Sequence, residues 1–162
     1  KLLDDAVGEL VILISDNALE AQFGCFRFTT KLIDGDYPDY NKAIPSGGDK
    51  VFECSRKQLR EALIRTSVMS NEVYKNVKLS LTSNRLTLFT NNPLLEQAEE
   101  VVEVSYAGEA IEIGFNVNFL IEALSVMDGE RVHVELSGET SPCLMTDLQD
   151  TGAKFVVSPM II

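Results

Sequence analysis

From Val51 to Met145 the apolar positions pass twice through the same series of spacings. The first pass is a short apolar stretch, VFEC at 51–54, then Leu59, Ala62 and Leu63, then the runs VKLSL and RLTLF on either side of Thr82-Ser83-Asn84. The second is IEIGF at 111–115, then Leu120, Ala123, Leu124 and Met127, then VHVEL and CLM about a polar turn at Gly138. Recurrence every three or four residues lines one face of a helix, whereas alternation sends successive strand side chains to opposite faces. Each pass therefore predicts a βαβββ unit whose helix has one apolar face and whose strands have one buried side. Arg60-Glu61-Ala62-Leu63 and Ile121-Glu122-Ala123-Leu124 align within the helices, and Val77, Leu79, Leu81 alternate as Val132, Val134, Leu136 do.

Helix boundaries carry their own signals. Ser55 with Gln58 has capping-box spacing, Asn116 can cap the second helix, and Asp128-Gly129 is expected to stop it. Two helices laid on strands that repeat in this way make an α+β fold with internal pseudo-symmetry.

A partial third copy precedes both passes. Leu10, Ile12 and Ile14, then Asp16-Asn17, then LEAQF follow the pattern of the runs around Ser83-Asn84, with no strand and helix before them. The chain is expected to begin inside a repeat. Residues 1–41 read as the closing strands of a preceding domain, residues 42–162 as a complete domain, and 33–40 with Pro45-Ser46-Gly47-Gly48 as the junction.

The far end, FVVSPMII at 155–162, is almost wholly apolar. Val156 and Val157 suit a strand. Pro159 has no N–H to continue a ladder, so Met160, Ile161 and Ile162 are expected to leave the sheet along its surface. Two readings remain open: a tail tucked into its own core, or a surface on which something docks.

Composition narrows the function. The 162 residues carry 14 Lys and Arg against 25 Asp and Glu, a net charge of −11, so any role on nucleic acid has to rest on geometry rather than on a basic surface. No apolar run is long enough to span a bilayer, the first residues are neither signal nor transit peptide, and the expected compartment is the cytoplasm. Cys25, Cys54 and Cys143 lack ligand spacing, so reduced inert thiols are expected, with no metal and no cofactor. Catalysis is not expected either. His133 has no placed nucleophile, Cys25 and Asp150 are remote in sequence, and Glu99-Glu100 is an unsorted acidic pair.

GDYPDY at 35–40, SNEVY at 70–74, TNNPLLEQAEE at 90–100, IGFNVNFL at 113–120 and the VVSPM ending together resemble the bacterial DNA sliding clamp family, the beta subunit of DNA polymerase III. The resemblance implies the DNA clamp fold: repeated βαβββ units with two helices packed on antiparallel sheets, three such domains per subunit, and a homodimeric ring around duplex DNA. Residues 1–41 would then be the C-terminal part of the middle domain and 42–162 the third domain. It also implies a groove between these domains for short linear peptides ending in bulky apolar residues. Carried over by position, the groove would comprise Pro38, Lys42, Ala43, Tyr74, Asn116, Phe119, Thr140, Pro142, Val156, Val157, Ser158, Pro159, Met160, Ile161 and Ile162. Plain core packing stays open as the alternative for Tyr74 and Phe119.

Three positions depart from the family's habit. Lys42 stands where an arginine is usual, Ser158 where methionine is frequent, and Ile161 where a basic residue commonly precedes the last apolar one. The implied ring-closing interface is Arg65, Val68 and Met69 with the acidic Glu96, Glu99 and Glu100. Lys57 and Arg60 would face DNA. The implied partners are duplex DNA held without sequence preference, the polymerase III alpha subunit, the clamp loader delta subunit and other proteins bearing a clamp-binding motif. The competing function is a free-standing peptide-binding domain that encircles nothing.

Overall fold

A computed structural model describes residues 8–150 and 152–161. The chain divides into two compact units between Asp39 and Tyr40. In the first, β1 (Val11–Ile14), β2 (Ala18–Phe23) and β3 (Phe26–Lys31) form an antiparallel meander in that order. Gly24, at φ 54°, supplies the left-handed residue of the β2–β3 turn. Alternation placed β1 and β2 correctly, although Val11 to Ile14 are all exposed.

The second unit contains both repeats. The first is β4 (Lys50–Ser55), α1 (Arg56–Ser67), β5 (Asn76–Thr82), β6 (Arg85–Asn91) and β7 (Gln97–Glu103). The second is β8 (Ile111–Asn116), α2 (Val117–Ser125), β9 (Arg131–Leu136), β10 (Cys143–Asp147) and β11 (Lys154–Val157). Strand orders are β7-β6-β5-β8 and β11-β10-β9-β4, so each repeat lends its first strand to the other's sheet. Register follows the apolar alternation, with Leu79 opposite Ile113 and Cys54 opposite Val132.

The helices pack against each other, and α1 also lies along β6 and β7. Their apolar faces, Leu59, Ala62 and Leu63 with Leu120, Ala123 and Leu124, close a core that includes Phe52, Phe115, Leu86 and Met145. Ser55 Oγ accepts from Gln58 N at 3.4 Å and Asn116 Oδ1 from Asn118 N at 3.0 Å, so both caps act as their residue types require.

Asp128-Gly129 is not the stop expected of it: α2 ends at Ser125, with Val126 as its cap. One orphan carbonyl there is taken by Arg56, whose guanidinium donates to Leu124 O at 3.0 Å and also to Gly129 O, in the loop beyond, at 2.6 Å. Gly129 serves a close approach instead. Asp147, 2% exposed, accepts from its N–H at 2.7 Å, and a Cβ at that glycine would stand 2.0 Å from Asp147 Oδ1.

One pair of contacts expresses the pseudo-symmetry most directly. After β7 the chain crosses to the other sheet, where Ser105 N donates to Glu53 O at 2.9 Å on β4; after β11, Met160 N donates to Gly114 O at 2.8 Å on β8. The tail leaves its sheet after Val157, just ahead of Pro159, and Met160 then lands on the free edge of the second one.

Candidate functional site

The tail divides according to strand alternation. Val157 is buried and Phe155 packs against the core, whereas Val156 on the other face of β11 is half open. Pro159 and Met160 are half buried, Ile161 is fully exposed, and Ile162 lies outside the described residues. The tail is thus anchored in the core at one point and presented to solvent at others.

It forms the partition between two hollows. One, of about 640 Å³, is walled by Thr140, Pro142, Pro159, Met160, Lys78 and Glu112. The other, of about 580 Å³, lies between α2 and β11 and is walled by Phe119, Val126, Phe155 and Val156. Ser158 borders both. Concave space with apolar walls and fixed polar or charged groups is what a short peptide needs, the apolar walls supplying affinity and the polar groups register.

Asn116 joins this region to the start of β5. While its Oδ1 caps α2, its Nδ2 donates to Tyr74 O at 3.4 Å. Tyr74 and Phe119 are 63% and 55% exposed, so neither is a core residue. Lys42 and Ala43 lie exposed at a 3-10 turn (Tyr40–Lys42), where Ala43 N donates to Tyr40 O, and neither is among the residues that wall these two hollows. Pro38 is exposed in the first unit.

Lys78 and Glu112 went unrecognised in the sequence. Lys78 Nζ sits 3.2 Å from both Glu112 oxygens, and Ser80 Oγ donates to the same carboxylate at 2.7 Å. The Ser80 hydroxyl, and then Lys78, hold the Glu112 carboxyl below its usual range. Outward alternation on β5 and β8 was the available signal, but it needs the register that sets Ser80 opposite Glu112.

The residues assigned to ring closure separate into two groups. Arg65 grips Glu100 in a two-pronged pair at 2.7 and 3.1 Å, which keeps the Glu100 carboxyl low. Glu99, its neighbour on β7, points to the opposite face and is exposed, and Glu96 receives a hydrogen bond from Asn92 Nδ2 at 2.6 Å. Val68 is 72% exposed and Met69 half buried. The acidic stretch lies on and just before the edge strand β7, with Glu100 already committed to α1. On that helix Lys57 is exposed, 4.0 Å from Glu61, while Arg60 Nε donates to Ser125 Oγ at 2.9 Å and ties α1 to α2.

Elsewhere, His133 lies between Glu53 and Glu135 at 3.5 and 3.3 Å on the outer face of β9. Burial pushes the Cys54 and Cys143 thiols up to about 12, so they stay protonated and unreactive at neutral pH. No described helix is long and apolar enough to cross a membrane.

Residues 41–161 match the family model described as DNA polymerase III beta subunit, C-terminal domain. The chain is 41% identical over 160 residues to the beta sliding clamp of Pseudomonas putida, covering 99% of this chain and 44% of that protein. A crystal structure of the DNA polymerase III subunit beta from Pseudomonas aeruginosa superposes with a TM-score of 0.88 at 42% identity, over 99% of this chain and 44% of the other. A sliding clamp from the same organism bound to griselimycin gives a TM-score of 0.86 at 42% identity, with the same coverage of both chains. The chain thus spans less than half the length of these relatives.

Proposed function

This chain belongs to the DNA polymerase III beta family and corresponds to its C-terminal domain, and from that premise we propose that it works as part of a replication sliding clamp, a non-catalytic ring that encircles duplex DNA and tethers client proteins by short peptides. Residues 42–162 would be the third domain of the full-length protein, and residues 1–41, with the strands β1 to β3, the end of the domain before it. The observation that carries the client-binding part is the tail itself. Met160 is pinned to Gly114 and Val157 to the core, so the segment between them is a fixed wall with a hollow on each side.

Such a wall is preorganised. A client brings two or three bulky apolar side chains, and little ordering cost falls on the clamp. Phe119, Val156 and Val126 offer one apolar seat, Pro142 and Met160 another, and unbranched Met160 can reshape itself to related side chains. The polymerase alpha subunit and the clamp loader delta subunit are the expected clients. The relative bound to griselimycin supports a ligand-binding surface in this family.

DNA retention would come from topology. With a net charge of −11 on these residues, enclosure rather than adhesion has to hold the duplex, and Lys57 on the open face of α1 is the candidate contact. The test is a titration of a labelled QLxLF-type peptide into the full-length protein and into a form lacking Met160 to Ile162. Loss of affinity with the fold retained supports the groove; unchanged affinity removes it.

A further inference from the structure

The two hollows beside the tail differ in charge. The one between α2 and β11 is lined by Glu122 and Lys154, one charge of each sign. The one on the Met160 side is lined by Lys78, Glu112 and Glu139, two carboxylates against one ammonium. An excess negative charge therefore stands on one side of the tail only.

The ammonium is already committed. Lys78 Nζ lies 3.2 Å from both Glu112 oxygens and 5.9 Å from the centroid of the Phe89 ring, so a carboxylate and an aromatic face hold it together. Ser80 Oγ donates to the same carboxylate at 2.7 Å, and the Ser80 hydroxyl, then Lys78, favour its charged form. Glu139 has no such company. It is exposed on the turn between β9 and β10, where Ser141 N donates to Gly138 O at 3.3 Å. Its carboxylate has no ion pair or side-chain hydrogen bond among the described residues.

This uncompensated charge adjoins an apolar seat. Pro142 and Met160 line the same hollow, three segments of chain apart in sequence but brought together by the tail's bond to Gly114. A peptide that rests a bulky side chain on Pro142 and Met160 carries its next residue toward Glu139 and the start of β8. A cation there meets one unpaired carboxylate and shares a second, whereas an anion meets like charge twice. Arginine suits the place better than lysine, because its guanidinium is more weakly hydrated and presents five donors.

We infer that the Met160-side hollow is a charge-selective extension of the client groove, preferring peptides with an arginine beside the apolar residue seated on Pro142 and Met160, and that Glu139 is its main receiving group. The inference rests on the clamp reading above and adds a specificity element to it.

Anisotropy titrations of the full-length protein test it with labelled QLxLF-type peptides that carry arginine, alanine or glutamate immediately before or immediately after the motif. The preference is expected at one end only, since the other hollow has no excess charge. At that end arginine should bind about threefold tighter than alanine and about tenfold tighter than glutamate, the size of exposed charge pairs. Salt of about 1 M should shrink both differences. Glu139→Gln should bring the arginine-to-alanine ratio close to one, and Lys78→Gln should widen it by leaving Glu112 uncompensated. Equal affinities for all three flanks at both ends, with the motif still bound, overturn the charge selection and leave the groove intact. An arginine preference that survives Glu139→Gln overturns the assignment to this hollow. Failure of every peptide to bind overturns the groove itself.

Discussion

Phe119 and Leu120 are neighbours on α2 with opposite fates, and their alanine variants separate binding from folding. Phe119 is 55% exposed beside the tail, whereas Leu120 is 3% exposed in the core. A phenylalanine side chain offers on the order of 200 Å², so about 110 Å² of Phe119 is left for a client to cover. At ~25 cal/mol per Å² that contact is worth about 2.7 kcal/mol, and because alanine retains part of it, Phe119→Ala is expected to lose about 2 kcal/mol, or roughly thirtyfold in Kd. Leu120→Ala removes buried methyl groups and leaves a cavity, which costs about 2 to 5 kcal/mol of folding stability. Anisotropy titration with a labelled client peptide and denaturant melts of both full-length variants give the two readouts. The reasoning fails if Phe119→Ala destabilises the fold as much as Leu120→Ala does and leaves peptide affinity unchanged.

Gly129→Ala is expected to destabilise the domain, because the new Cβ meets Asp147 Oδ1 at 2.0 Å on a buried residue, and thermal melts check it. Asp147 makes the pH dependence testable. Backbone N–H groups of Gln149, then Gly129, hold its carboxyl below the ordinary 3.8, so its contribution is complete above that value and lost as pH falls through the lower folded value. The stability gap between wild type and Asp147→Asn should therefore be constant above about pH 5 and close progressively below about pH 4 in acid-dependent denaturant melts.

The doubled unit was legible because its alternation is strict where burial is one-sided: Val77, Leu79 and Leu81 on β5, and Val132, Val134 and Leu136 on β9, are all buried. The third strand expected of the first unit, β7, was not located in the sequence because Gln97–Glu103 is an edge with one charged face, and only Val102 among its residues is fully buried. The exchange of β4 and β8 between sheets was hidden for a different reason. Apolar alternation says which face of a strand is buried, not which neighbour it pairs with. The tail shows both sides of this limit. Pro159 announced the end of β11, but nothing local announced that Met160 would bond Gly114, some 46 residues earlier. The same long-range register brings Lys78 and Glu112 to the hollow.

The central claim is that the full-length protein holds DNA by encircling it, with these residues as part of the ring. The direct measurement loads the labelled full-length protein onto a nicked circular plasmid with its clamp loader, removes free protein, and follows retention before and after the circle is cut once. Retention on the circle through a high-salt wash, followed by release from the linear ends, is the result the account predicts, because topology is insensitive to salt whereas adhesion is not. Salt-labile binding, equal on circle and line, would contradict it.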